Sequence, residues 1–188
     1  SPGDRVLASV SVACGECVPC REGMSSSCVR WSLFGWAPRT WKHGGDVQGG
    51  QSEFVRVPLA GTTLHRIPEE LSGPDDALSL LPMIDMMSTG WHGLTRSGVQ
   101  PGQAVVVIGD GAVGLAAVHG AMAKGAEAII CLGHHPGRLA TATQLGATAV
   151  LDSRDDQEIA ELVREHTGGQ GAHAVIDTIS GTESMTTA

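Results

Sequence analysis

Four short apolar runs, Ala104–Ile108, Ala128–Leu132, 149–152 and Ala174–Asp177, recur through the second half of this 188-residue chain with helix-like stretches between them. A run of apolar residues without polar alternation suits a strand covered on both faces. An alanine-rich stretch up to Lys124 follows the first run, and a second helix opens at Pro136 and stops near Gly146. A third covers 155–167, with Ile159, Leu162, Val163 and His166 at helical spacing, acids in its first turn and Gly168-Gly169 after its end. Strand–helix alternation of this kind predicts an α/β fold, with a parallel, doubly wound sheet and helices on both faces. Cys131, alone inside the second run, reads as a small buried hydrophobe.

The first strand runs into Gly109-Asp110-Gly111-Ala112-Val113-Gly114 and then into a helix. A lone G-x-G-x-x-G is common, but between a buried strand and a helix each glycine has a task. Gly109 makes the tight turn, Gly111 lets backbone approach a pyrophosphate, and Gly114 lets helix and strand pack closely. The turn, with Ala112 and Val113, is therefore a candidate dinucleotide site, the alternative being a structural turn without ligand. An Asp or Glu about twenty residues on usually meets a free ribose 2′-hydroxyl. Here the second strand ends in Gly133-His134-His135-Pro136-Gly137-Arg138, with no acid. A glycine leaves room for a 2′-phosphate, and His134, His135 and Arg138 can donate to it. That favours NADP over NAD, unless both histidines are solvated loop residues.

Cys14, Cys17, Cys20 and Cys28 follow the spacing Cys-x2-Cys-x2-Cys-x7-Cys, with Gly15, Pro19 and Gly23 among them to form turns. Short Cys-x2-Cys links bring thiolates round one tetrahedral ion, and a closed structural zinc site follows. The alternatives are disulfide pairing or a set of unrelated buried thiols. No leader-like segment stands before the cluster, so a reducing compartment is expected.

The remainder of the first third reads as β-rich and irregular. Val6, Leu7, Ala8, Val10 and Val12 lead into the cysteines, and 53–58 alternates like a half-buried strand. Trp31, Phe34, Trp36 and Trp41 suggest a loop pinned by aromatic anchors, and 68–74 a connection. Residues 75–97 read as helical, with Leu78, Leu81, Met83, Met86 and Met87 on an apolar face, and Pro82 would interrupt that helix or begin a second one. Trp91 and Met87 suit core packing better than a substrate pocket. A boundary near 87/88 divides the chain into 1–87 and 88–188. The net charge of −8 argues against a nucleic-acid partner, and no apolar stretch has the length of a membrane span. A cytoplasmic protein is expected.

Taken together these motifs resemble the zinc-dependent alcohol dehydrogenases of the medium-chain dehydrogenase/reductase family. The stretch 1–6 is similar to the strand after that family's GHE segment, the cysteines to its structural zinc lobe, and Gly49-Gly50-Gln51-Ser52-Glu53-Phe54-Val55 to its GG-x-A-E-Y-V element. The resemblance implies part of a β-rich GroES-like catalytic domain at 1–87 and part of a Rossmann domain at 88–188, with four strands where six are expected. It also implies a second, catalytic zinc. Residues 82–93 are similar to the segment carrying that ion's third ligand in an Asp form, which makes Asp85 the candidate catalytic residue and metal ligand. The family's Cys and His ligands would stand before Ser1, so an internal piece of a longer, homo-oligomeric enzyme is expected. The implied reaction is hydride transfer between a small alcohol (or aldehyde or ketone) and NAD(P). The alternatives are a zinc-free quinone or enone reductase of the same fold and a non-catalytic dinucleotide-binding regulator.

Overall fold

The structure, a computed structural model, describes residues 1–36, 47–71, 73, 75–152, 154–182 and 184. It divides into two compact units, Ser1–Asp85 and Met86–Ala188. Trp41 and Pro74 lie outside the described residues.

The first unit is built from short elements. Strands β1 (Val6–Ala8) and β2 (Ser11–Val12) precede the four-residue helix α1 (Val18–Arg21) and strand β3 (Ser32–Leu33). Helix α2 (Ala60–Thr63) runs directly into β4 (Leu64–Arg66). Strand β1 pairs antiparallel with β4, and β2 with β3. Val12, Ser32 and Thr63 are fully buried; the two hydroxyls donate to the Trp36 and Pro58 carbonyls at 3.4 and 3.1 Å, as buried polar groups must find partners. The rings of Trp31 and Trp36 meet edge to face with centroids 6.1 Å apart.

Two expectations fail in this unit. Residues 53–58 form no strand: the ladder partner of β1 is β4, and Phe54 is 90% exposed, so the alternation there has no buried side. Residues 75–84 are helical and broken at Pro82 as expected, dividing into α3 (Asp76–Leu80) and a 3-10 turn over Leu81–Ile84 that Pro82 helps begin, but the expected apolar face is not covered. Leu80 is buried there, whereas Leu78, Leu81 and Met83 are exposed. Their apolar spacing is real but does not form a buried stripe.

The second unit follows the alternation read from the sequence. Helix α4 (Met86–Ser97) leads to β5 (Ala104–Ile108), α5 (Ala112–Ala123), β6 (Ala128–Leu132), α6 (Pro136–Gln144), β7 (Ala149–Leu151), α7 (Asp156–His166) and β8 (Ala174–Asp177). The four strands form a parallel sheet in the order β7-β6-β5-β8. Strand β5 is central and buried at every residue, and its side chains alternate between two cores. Val105 and Val107 join Leu94, Val118, Ile129, Cys131 and Leu139 on one face; Val106 and Ile108 join Ile130, Leu132, Ile159, Leu162 and Val163 on the other. Each fully buried valine contributes about 1.5–3 kcal/mol. Cys131 is fully buried, as expected, and burial pushes its thiol up to about 11.

Helices α4 and α5 approach so closely that a Cβ added to Gly90 would lie 2.7 Å from the Ala117 nitrogen and 3.0 Å from the Val113 carbonyl. Backbone on both sides cannot yield as a flexible side chain would. Gly90→Ala should therefore lower stability by about 1–3 kcal/mol, read as a drop in the urea midpoint; an unchanged midpoint would show that the helices separate freely.

Candidate functional site

Two places concentrate chemistry, one in each unit. In the first, the residues flanking the cysteines bend the chain into a knuckle. Gly15 and Gly23 have φ of +75° and +80°, and α1 begins at Val18-Pro19, where the missing proline N–H costs nothing. Thr62 Oγ1 donates to the Ala13 carbonyl at 2.6 Å and fastens α2 to the knuckle.

The side-chain sulfurs of Cys14, Cys17, Cys20 and Cys28 all lie within 4.8 Å of one another. Cys14 and Cys20 are 4.0 Å apart and Cys17 and Cys28 are 3.9 Å apart. A disulfide needs about 2.05 Å, so the disulfide alternative fails. A tetrahedron with sulfur about 2.3 Å from zinc has edges of about 3.8 Å, which these separations match. Main-chain N–H groups already point at the sulfurs: Cys14 and Arg30 donate to Cys28 Sγ at 3.3 Å each, and Cys17 donates to Cys14 Sγ at 3.4 Å. Such donors stabilise thiolate charge and orient ligands. A hydrogen bond from Arg30 draws the Cys14 thiol down to about 6, while burial pushes Cys20 up to about 12. Arg30 is itself paired with Glu16.

In the second unit, a cleft of about 1130 Å³ opens at the carboxyl ends of the strands. It is lined by Gly109, Gly111, Ala112, Val113, Gly133, His134 and His135, residues marked as cofactor candidates from the sequence, together with Arg154, Asp156 and Thr178. The strand order reverses between β5 and β8, and in open α/β sheets ligands bind at that switch point.

The glycines behave as their spacing requires. Gly109 has φ +111°, and a Cβ there would overlap the Thr178 hydroxyl. A Cβ on Gly114 would overlap the Gly109 carbonyl, so α5 sits against the turn only because position 114 has no side chain. Nothing stands within 4 Å of where a Cβ of Gly111 would be, which leaves its backbone open to a ligand. Thr178 Oγ1 donates to the Ile108 carbonyl at 2.9 Å and holds the ends of β5 and β8 together. Asp177 accepts from the Ile179 and Ser180 N–H groups and from Ser184 Oγ; burial opposes its ionisation, but these donations hold its carboxyl below the ordinary range.

Sequence reasoning missed Asp110. It sits inside the glycine turn, its residue 6% exposed, and its Oδ2 accepts from the main-chain N–H of His134 at 3.1 Å and of His135 at 2.8 Å. The His135 ring meets the same carboxylate at 3.0 Å, and Arg138 Nη1 lies 3.8 Å from its other oxygen. Burial raises the cost of its charge, yet the donations from His135 and His134 prevail and keep the carboxyl below its usual range. The signal available in the sequence was an acid next to a buried strand, which must find donors. His134 and His135 are not merely solvated loop residues: His134 Nδ1 lies 2.6 Å from Asp152 Oδ1 and its Nε2 accepts from Arg154 Nε at 3.3 Å.

Asp85 ends the 3-10 turn before α4 and is half-buried. Among the described residues the four cysteines are the one group of three or more ligating side chains close enough for an ion, and Asp85 is not part of such a group. Trp91 is half-exposed with Lys124 Nζ 4.5 Å above its ring, not a core residue as its apolar character suggested.

Residues 1–69 match the alcohol dehydrogenase GroES-like domain and 112–188 the zinc-binding dehydrogenase family. A zinc-type alcohol dehydrogenase-like protein from Bacillus subtilis is 34% identical over 184 residues, covering 94% of this chain and 47% of that protein. A medium chain reductase/dehydrogenase from Acremonium is 37% identical, covering 100% of this chain and 62% of its own length. The alcohol dehydrogenase TADH from Thermus sp. ATN1 superposes with a TM-score of 0.84 at 32% identity, over 99% of this chain and 52% of that one. A zinc-binding dehydrogenase from Sinorhizobium meliloti, solved bound to NADP, superposes at 0.73 with 25% identity, over 98% and 50%. The chain spans about half the length of most of the curated relatives it matches. Among the described residues no helix is long and apolar enough to cross a membrane.

Replacing Cys28 by Ala removes one sulfur and the acceptor for two main-chain donors. Zinc content, read by atomic emission, should fall by one ion per chain, and full retention would contradict a four-sulfur site. Gly114→Ala should weaken dinucleotide binding by about tenfold or more, because helix and turn must separate; titration with unchanged affinity would contradict that.

Proposed function

Because this chain belongs to the zinc-dependent alcohol dehydrogenases of the medium-chain dehydrogenase/reductase family, we propose that the protein it represents interconverts small alcohols and their carbonyl compounds with a nicotinamide dinucleotide. The observation that carries this reading is the cleft at the β5–β8 switch point, floored by a glycine turn that exposes main-chain N–H groups at the start of α5. Those groups, with the helix's positive end, would bind the pyrophosphate. The turn 133–138 would receive the adenosine ribose, with NADP preferred to NAD: no acid stands on it, and Arg138 and Arg154 lie beside it. Bound there, the coenzyme supplies the redox chemistry and the protein orients it.

The four cysteines would hold a structural zinc, a closed site with no open position for substrate. Asp85 would give one oxygen ligand to a separate catalytic zinc, which when bound supplies Lewis acidity toward a substrate oxygen. An oxygen ligand is harder than a thiolate, so that ion should exchange more readily than the one among the cysteines. Four free thiols within reach of one another suit a reducing, cytoplasmic setting. Association into dimers or tetramers is part of the same reading.

Metal stoichiometry separates this reading from its rivals. The full-length dehydrogenase should carry two zinc ions per chain, a zinc-free reductase none and a non-catalytic regulator one. Asp85→Ala should abolish alcohol oxidation and remove one of the two ions while coenzyme still binds. A variant keeping both metal and rate would leave Asp85 as a helix-end acid.

A further inference from the structure

We infer that Asp110 is a specificity-determining residue, which with Gly133 decides which adenosine ribose the cleft accepts. This rests on the reading of the cleft as a dinucleotide site. An acid at the end of the second strand is the usual acceptor for a 2′-hydroxyl. Here β6 cannot carry one. A Cβ at Gly133 would lie 2.5 Å from Asp110 Cβ, 2.6 Å from Cγ and 2.7 Å from Oδ2. The Asp110 side chain already fills the place where an acid at 133 would begin.

Asp110 does not replace that acid as a ribose ligand, because its oxygens are committed. Oδ2 takes the N–H groups of His134 and His135, and both oxygens lie within 3.1 Å of His135 Nδ1, with Arg138 beyond Oδ1. The side chain is only 8% exposed. The carboxylate acts inward, tying the glycine turn to the amino end of α6 and matching the positive end of that helix. The neighbouring acid is engaged as well: Asp152 meets His134 Nδ1, whose other nitrogen takes the Arg154 hydrogen, so the ring carries its proton toward Asp152. Arg138 remains more than half exposed beside this turn, and Arg154 and Asp156 line the cleft. A 2′-phosphate meets the Arg138 and Arg154 cations there, with the Asp156 carboxylate on the lining as an opposing charge, whereas a 2′-hydroxyl loses its usual acceptor at 133. The preference is thus written at two positions in contact, 110 and 133.

The test measures the affinities of 2′,5′-ADP and 5′-AMP for the full-length protein by calorimetry, with melting temperatures alongside. The unaltered protein should bind 2′,5′-ADP tighter by about tenfold, the value of one charged hydrogen bond. Asp110→Ala should lower that ratio by about the same factor, whereas Asp110→Asn, whose amide oxygen can still accept the two main-chain N–H groups, should keep most of it. Gly133→Asp alone should weaken both ligands and lower the melting temperature. Joined with Asp110→Ala, it should recover stability and prefer 5′-AMP. A Gly133→Asp protein that reverses preference at unchanged stability would overturn the inference, as would an Asp110→Ala protein with an unchanged ratio. An unaltered protein that binds neither ligand would overturn the dinucleotide reading itself and the inference with it.

Discussion

The second unit depends on the burial of β5 on both faces. Five consecutive buried residues, Ala104–Ile108, deliver alternate side chains to two separate cores, and β6 and β8 are hydrogen-bonded on either side. A strand in that position has no exposed side, so the chain must leave it through a turn tight enough to return as a covering helix. Gly109 and Gly114 make that return possible, the first by its positive φ and the second by having no side chain between helix and turn. The cleft is thus a consequence of how the central strand ends. Because β8 returns on the other side of β5, its loop diverges from that of β6 and the opening between them follows.

The cysteine knuckle solves a different problem. The strands around it have two or three residues each, too few to bury much apolar surface. Ala13 and Trp31 belong to one apolar cluster with the four cysteines, which serves as a local core. A metal there would tie together residues that the short strands hold only loosely, and the N–H groups aimed at Cys14 and Cys28 are arranged for thiolate charge.

How far this was legible in the sequence depended on the range of the interactions concerned. The four strands and three helices after residue 100 were readable because continuous apolar runs and helical spacing are local signals, and Pro136 and Gly146 mark the limits of α6. The cysteine cluster was readable because its ligands fall within fifteen residues. Residues 53–58 misled because alternation shows which side chains could share a face but not whether anything covers that face, and Phe54 is left exposed. Asp110 was invisible for the same reason in reverse: its partners are 24 and 25 residues away, and only the folded sheet brings His134 and His135 to it. Gly133 lines the cleft, and only the folded sheet shows that the Asp110 side chain stands where a Cβ at 133 would be.

On the proposed function, the end of β5 and the turn after β6 together hold a dinucleotide bearing a 2′-phosphate. A crystal structure of the full-length protein grown with NADP tests it most directly. Pyrophosphate oxygens should lie about 2.9 Å from main-chain N–H groups between Gly111 and Gly114, and the 2′-phosphate beside Arg138 and Arg154 with Asp110 still bound to the His134 and His135 N–H groups. A dinucleotide seated away from the glycine turn, or a cleft left empty at saturating NADP, would contradict it.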